Sequence, residues 1–128
     1  MKKKFLIVVA NYYKDISKGL LLSSKKLIPK GSKLKIIEVP GVFEIPMTIK
    51  KNIKSYDAFI ALGCVIKGQT PHFDFISQAS INAIMNLSID NKKPIGNGII
   101  TCLSLKQAEV RKKKGAEATK AVLSILSQ

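Results

Sequence analysis

From Ala58 to Ile66 the chain reads AFIALGCVI, an apolar run broken only by Gly63. A run with no polar face fits a strand buried on both sides, as in a parallel sheet covered by helices. The next residues fit that setting. Lys67-Gly68-Gln69-Thr70-Pro71 reads as a turn into a helix, with Thr70 as N-cap and Pro71 as the first helical residue. Phe73, Ile76, Ser80, Ala83, Ile84 and Leu87 then recur at helical spacing and predict one apolar face. A strand, a glycine-containing loop and a helix N-terminus leave backbone N–H groups pointing outward, where the helix dipole also favours an anion. His72, the only histidine, falls in the first turn of that helix, so a proton-transfer group stands beside a phosphate-capable loop. A lone histidine near a helix start also serves as a surface or packing residue, and the stretch by itself fits both readings. The loop does not end in Gly-Lys-Ser/Thr, so it is no Walker motif.

The rest of the chain repeats the pattern. Phe5–Ala10 reads as a buried strand, and Asn11-Tyr12-Tyr13 stands at its carboxyl end, where open α/β sheets place ligands. Tyr12 is placed either to stack on a flat heterocycle or, like Tyr13, to cap the core. Asp15 is expected to cap a helix from Ile16 to about Leu27, with Ile16, Leu20 and Leu27 inward and Pro29-Lys30-Gly31 ending it. Lys33–Val39 alternates as a second strand nearer the edge, and Pro40-Gly41 turns the chain. Phe43-Glu44-Ile45-Pro46 begins a helix reaching about Ile53, where Glu44 either complements the helix dipole or binds a polyol. The third helix extends to about Asn91 and is closed by Lys92-Lys93-Pro94. Gly96-Asn97-Gly98 is expected to lead into a fourth strand, Ile99–Leu103. Because it precedes a strand, it is no dinucleotide fingerprint. Ser104-Leu105-Lys106-Gln107 is a capping box opening a helix that carries Arg111, with Gly115 expected to break or kink it before an Ala118–Leu126 helix. The order β-α-β-α-β-α-β-α predicts one domain over residues 1–128. Its fold class is a three-layer α/β/α sandwich, flavodoxin-like, with a four-stranded parallel sheet and right-handed crossovers.

Charge narrows the partners. The net charge is +14, from 22 Lys plus Arg against 8 acidic residues, yet Arg111 is the sole arginine. Base readout relies on bidentate arginine contacts, so a solvated lysine surface is expected in place of a dedicated nucleic-acid face. The field still attracts phosphorylated substrates. No apolar run reaches the length of a membrane span. Lys2–Ala10 superficially resembles a secretory leader, but the apolar run is short and Asn11, two tyrosines and Lys14 follow with no small-residue cleavage site. A cytoplasmic protein is expected. Cys64 and Cys102 lie in predicted strands without a CxxC or metal-ligand pattern, so buried free thiols and no metal site are expected.

Three blocks taken together, VPGVFEIP (Val39–Pro46), ALGCVIKGQTPHFDF (Ala61–Phe75) and GIITCLSLKQAEVR (Gly98–Arg111), resemble the lumazine synthase family in that family's order and over essentially the whole chain. The resemblance implies condensation of 5-amino-6-(D-ribitylamino)uracil with 3,4-dihydroxy-2-butanone 4-phosphate to 6,7-dimethyl-8-ribityllumazine, with water and phosphate released and no cofactor. It implies that Tyr12 stacks on the pyrimidine and that Val42, Phe43 and Glu44 hold the ribityl chain and ring edge. Cys64, Val65 and Ile66 would bind the heterocycle, and Gln69 and Thr70 the phosphate substrate. His72 corresponds to the catalytic acid/base, Asn97 to a ring contact from the neighbouring subunit, and Arg111 to the phosphate-binding arginine. The family's pentamers, with active sites between subunits, and a functional link to riboflavin synthase come with it.

Some positions depart from the family's commoner pattern. Tyr12-Tyr13 stands where Phe-Asn is frequent, Lys67 replaces a frequent arginine, and Asn97 a frequent phenylalanine. The amino terminus is short, and Lys112–Gly115 replaces a longer glycine-containing segment. That leaves a second phosphate-binding lysine open among Lys112, Lys113 and Lys114. Members that build sixty-subunit shells carry a glycine-containing kink between the last two helices, so a free pentamer is expected here. The alternatives are an archaeal-type riboflavin synthase, which the strong first and second blocks oppose, and a non-catalytic lumazine or flavin binder that has kept the pocket.

Overall fold

In a computed structural model describing residues 2–128, four parallel strands form one sheet in the order β2-β1-β3-β4. They are β1 (Lys4–Ala10), β2 (Lys33–Val39), β3 (Ala58–Ile66) and β4 (Ile95–Cys102). The helices are α1 (Lys14–Lys25), α2 (Ile45–Lys51), α3 (His72–Asn91), α4 (Leu105–Glu109) and α5 (Lys114–Leu126), with a single 3-10 turn at Val42–Glu44. The expected flavodoxin-like three-layer sandwich is what forms.

The two central strands explain the apolar runs. Phe5, Ile7, Val9, Ile60, Leu62, Cys64, Ile100 and Cys102 pack with Ile16 and Leu20 of α1 and Ala118 and Val122 of α5. The alternate residues Leu6, Val8, Ala10, Phe59, Ala61, Val65 and Ile99 pack with Ile45 and Ile49 of α2 and Ile84 of α3. β1 and β3 therefore lose both faces to the core, whereas β2 lies at an edge with exposed Lys33 and Lys35, residues that discourage a further strand from pairing. Buried hydroxyls stitch α1 to α5: Ser24 Oγ and Thr119 Oγ1 stand 2.7 Å apart, and Thr119 Oγ1 donates to Ser24 O at 3.0 Å.

Several local expectations need correction. β4 begins at Ile95, so Gly96-Asn97-Gly98 lies inside the strand and does not lead into it. A side chain at Gly96 would run into the Ala118 carbonyl of α5, and one at Gly98 would stand 3.3 Å from Ala118 Cβ and strike Leu62. Close packing, by α5 on Gly96 and chiefly by β3 on Gly98, requires these glycines, and a turn does not. α1 starts at Lys14 with Tyr13 at the N-cap, which leaves Asp15 within the first turn as a dipole partner. Pro71 replaces Thr70 as the N-cap of α3, and Thr70 Oγ1 accepts the His72 N–H at 3.4 Å. α4 ends before Arg111, and Gly115 sits in the first turn of α5, buried against the Leu20 carbonyl. The N-cap half of the capping box forms, with Ser104 Oγ accepting the Gln107 N–H at 3.2 Å, while Gln107 Oε1 reaches one residue further back to accept the Leu103 N–H at 2.8 Å.

Gly63, the one break in the apolar run, has a similar cause. A Cβ there would lie 2.6 Å from Val42 Cγ1 and 3.1 Å from Ala10 Cβ. Its absence lets the loop after β2 settle across the carboxyl end of β3. Gly63→Ala is expected to destabilise the protein by about 1–3 kcal/mol through overpacking. Val42→Ala in the same chain removes the clashing methyls and recovers part of that loss, as a urea-unfolding double-mutant cycle would read. Additive losses would show that Val42 is not what the glycine accommodates.

Candidate active site

The carboxyl ends of β1 and β3 are neighbours, but their following connections run to opposite layers: α1 covers one face, and α2 and α3 the other. Such a switch point opens a crevice at the strand ends. Here it holds a cleft of about 450 Å³, lined by Tyr12, Tyr13, Gly41, Val42, Phe43, Glu44, Cys64, Val65, Ile66, His72 and Ile76.

Each wall is set by its element. β1 ends at Ala10, whose carbonyl accepts the buried Ser17 hydroxyl of α1, and the chain turns there through Tyr12 and Tyr13. Tyr13 is half-buried against the α1-side core, whereas Tyr12 is 74% exposed, so Tyr13 caps the core and Tyr12 is free to meet a ligand. On the opposite side Val42 is buried over Gly63, which turns Phe43 (62% exposed) and Glu44 outward at the rim. The 3-10 turn is closed by the Glu44 N–H donating to Gly41 O at 3.2 Å, and Thr48 Oγ1 donates to Glu44 O at 2.9 Å. Cys64, Val65 and Ile66 form the floor as the last residues of β3.

His72 opens α3 and is exposed on the cleft. The preceding loop is tied down at its ends. The Lys67 N–H donates to Cys102 O at 2.9 Å, and the Asp74 N–H donates to Pro71 O at 3.0 Å. Gly68, Gln69 and Thr70 between them are exposed. α3 is a 20-residue helix, so its dipole is directed at this loop.

Asn97 and Arg111 are elsewhere. Asn97 pairs with Ala61 and Cys102 with Ile66, which puts Asn97 five positions, roughly 16 Å, below the strand ends. Its Oδ1 accepts the Ile99 N–H at 3.0 Å. Arg111 occupies the turn between α4 and α5, where its N–H donates to Ala108 O at 3.1 Å. Both line a second cleft of about 430 Å³, together with Ile81, Ile99, Ile100, Thr101 and Lys114. Of the three lysines left open, Lys114 is the one in this cleft, and its Nζ is 3.4 Å from Glu117 Oε1. Lys112 pairs with Glu109 at 3.2 Å and packs against Gly19.

Gly41 and Ile76 were not read from the sequence as part of the cleft. Gly41 reads as turn and Ile76 as core, and both serve those roles while also facing the cleft. The signal for Gly41 is its spacing from Glu44, whose Oε1 lies 3.2 Å from where a Cβ would stand.

The cleft floor is uncharged. Burial, then Cys102, pushes the Cys64 thiol up to about 12. Burial foremost, then Tyr12 and Cys64, raises the Tyr13 phenol. Both stay protonated at neutral pH, and His72 and Glu44 are the other ionisable side chains that line the cleft with Tyr12.

A flavodoxin-like α/β protein with a cleft at its switch point, a histidine at the rim and the N-terminus of a long helix beside it defines the class. Comparison of sequences specifies the family. The profile of 6,7-dimethyl-8-ribityllumazine synthase matches residues 2–128. Curated relatives named 6,7-dimethyl-8-ribityllumazine synthase include one from Methylorubrum populi, 39% identical over 97% of this chain and 81% of its own. One from Bartonella bacilliformis is 43% identical over 86% of this chain and 76% of its own. A relative named 6,7-dimethyl-8-ribityllumazine synthase 1, from Rhodopseudomonas palustris, is 41% identical over 96% and 83%. The chain belongs to the 6,7-dimethyl-8-ribityllumazine synthase family.

The Cys64 thiol carries a pH consequence. A thiol is ionised in the unfolded chain above its ordinary value but remains protonated in the fold up to about 12. Alkali therefore favours the unfolded state, and this contribution to stability is lost as pH rises from about 9 toward 12. The free energy of unfolding is expected to fall less steeply between pH 9 and pH 11 in Cys64→Ala than in the unsubstituted protein. Equal slopes in urea titrations would contradict the assignment.

Proposed function

We propose that this protein condenses 5-amino-6-(D-ribitylamino)uracil with 3,4-dihydroxy-2-butanone 4-phosphate to give 6,7-dimethyl-8-ribityllumazine, in riboflavin biosynthesis. The observation that carries this reading, alongside family membership, is the single cleft that gathers Tyr12, Val42–Glu44, Cys64–Ile66 and His72 at the switch point.

The residues suit the chemistry. The pyrimidine stacks on Tyr12 over the floor formed by Cys64, Val65 and Ile66, and the ribityl chain runs past Val42, Phe43 and Glu44. Its 5-amino nitrogen attacks the ketone carbon, and loss of water leaves an imine. Phosphate then departs and the ribitylamino nitrogen closes the second ring with loss of another water. His72 takes and returns the protons these steps move. Gln69, Thr70 and the N-terminus of α3 hold the phosphate as it becomes a leaving group, which stabilises the developing charge. Much of the acceleration comes from holding two reactants in register. No oxidation state changes overall, so no redox cofactor is required.

Arg111 and Asn97 enter from a neighbouring copy. Both line a cleft separate from His72's, so one subunit's second cleft completes the next subunit's first, in a ring of five. Lys114 accompanies Arg111 as the second phosphate contact. The connection Val110–Lys113 contains no glycine, which supports a free pentamer over a sixty-subunit shell. The working unit is one domain per chain. It is cytoplasmic, in keeping with the absence, among the described residues, of any helix long and apolar enough to cross a membrane. Its product passes to a riboflavin synthase.

The test is lumazine formation followed by absorbance, with phosphate released in step. His72→Ala is expected to lower kcat by about 10²–10⁴-fold while leaving the fold unchanged. Arg111→Ala is expected to raise KM for the butanone phosphate more than KM for the uracil. A rate no better than the uncatalysed background from folded protein would contradict the reading and favour a binder that has kept the pocket. Riboflavin formed from lumazine alone would favour a riboflavin synthase. Light scattering should give a mass near five chains, and one near sixty would overturn the free pentamer.

A further inference from the structure

We infer that Tyr13 is a positioning residue for the cleft, its anchored ring holding the exposed Tyr12 ring upright as a preformed stacking wall. The inference rests on the reading that Tyr12 stacks on the pyrimidine.

Tyr12 is 74% exposed, and an exposed side chain on a turn ordinarily distributes among several rotamers. A ligand that needs one of them must restrict the others on binding, which costs affinity. Tyr13 is placed to reduce that cost. Its ring packs against the core between the sheet and α1. Its backbone is fixed at the N-cap of α1, where the Ser17 N–H donates to Tyr13 O at 2.9 Å. The two rings meet with centroids 4.9 Å apart and planes at 80°, an edge-to-face arrangement. Such a pair uses at most one face of either ring, so a face of Tyr12 stays open to the cleft that both residues line.

Edge-to-face pairs favour their geometry by about 2- to 10-fold over a non-aromatic neighbour. That is the size of effect expected, and it should fall on the affinity for the flat heterocycle. The phenol oxygen of Tyr13 is not needed for it. The ring is.

The experiment uses the full chain with four substitution sets: Tyr13→Leu, which keeps an apolar filling without a ring; Tyr13→Phe, which keeps the ring; Tyr12→Ala; and Tyr12→Ala with Tyr13→Leu. Circular dichroism checks that each folds. Tyr13→Leu is expected to raise KM for the ribitylaminouracil and Kd for 6,7-dimethyl-8-ribityllumazine by about 2- to 10-fold. KM for the butanone phosphate and kcat should stay close to the starting values. Tyr13→Phe should restore the original KM. In the Tyr12→Ala background Tyr13→Leu should have no further effect, because the group it positions is gone. An unchanged KM in Tyr13→Leu would overturn the inference while leaving the proposed reaction intact. So would an equal loss in the Tyr12→Ala background, which would make Tyr13 a direct contact. If the unsubstituted protein neither forms nor binds lumazine, the proposed reaction falls and this inference falls with it.

Discussion

The approach of Val42 to Gly63 governs how the cleft is built. A strand buried on both faces normally presents side chains all along its length, and those of β3 would keep the loop after β2 at a distance. Where Gly63 has none, Val42 drops into the layer between β3 and α2, with Cγ1 only 2.6 Å from the missing Cβ position. That anchor fixes the 3-10 turn Val42–Glu44 beside the last residues of β3 and leaves Phe43 and Glu44 at the rim. Without it the connection from an edge strand would have no reason to reach the switch point. The apolar floor, the polar rim and the histidine at the head of α3 would then not face one volume.

The same sheet that assembles this cleft keeps Asn97 and Arg111 out of it. β4 is an edge strand, and its register with β3 puts Asn97 well below the carboxyl ends. Arg111 follows α4 to the far side of that edge, beside Asn97 and Lys114. In the proposed reaction, the cleft with His72 and Tyr12 and the cleft with Arg111 would be complementary halves contributed by two copies. An edge strand is also where a second copy can dock without disturbing the core. On that proposal a neighbouring copy would take part in the chemistry, beyond any contribution to stability.

Much of this was legible in the residues. Three apolar runs and one alternating strand, with helical periodicity between them, give the layers, because burial on two faces leaves no other composition for β1 and β3. Tyr12, Glu44 and His72 were also readable, since they follow strand carboxyl ends, whereas Val42, Phe43 and Cys64–Ile66 were named as site residues only through the family resemblance. What failed were the glycines and the caps. Gly96 and Gly98 look like a turn, yet Gly96 is small because α5 lies against it and Gly98 because Leu62 and the Ala61 carbonyl of β3 crowd it, tertiary reasons that a local window does not contain. Thr70 and Asp15 carry good capping side chains, but the chain had already entered the helix or turned at a neighbouring residue. The separation of Asn97 from His72 depended on register, and the choice of Lys114 among three consecutive lysines on which side of the α4–α5 turn each one faces. Neither quantity is encoded locally.

The central claim is that a working site draws His72 from one chain and Arg111 from the next. Mixing two impaired proteins, assayed with the butanone phosphate well below its KM, tests it most directly. His72→Ala and Arg111→Ala chains would be unfolded together, refolded in equal amounts and assayed for lumazine formation. Random mixing pairs an intact histidine with an intact arginine at roughly a quarter of the interfaces. The expected result is activity at a comparable fraction of the unsubstituted protein's, with each variant refolded alone staying far below it. If the mixed assembly forms but remains as inactive as its components, both residues act within one chain and the account is wrong.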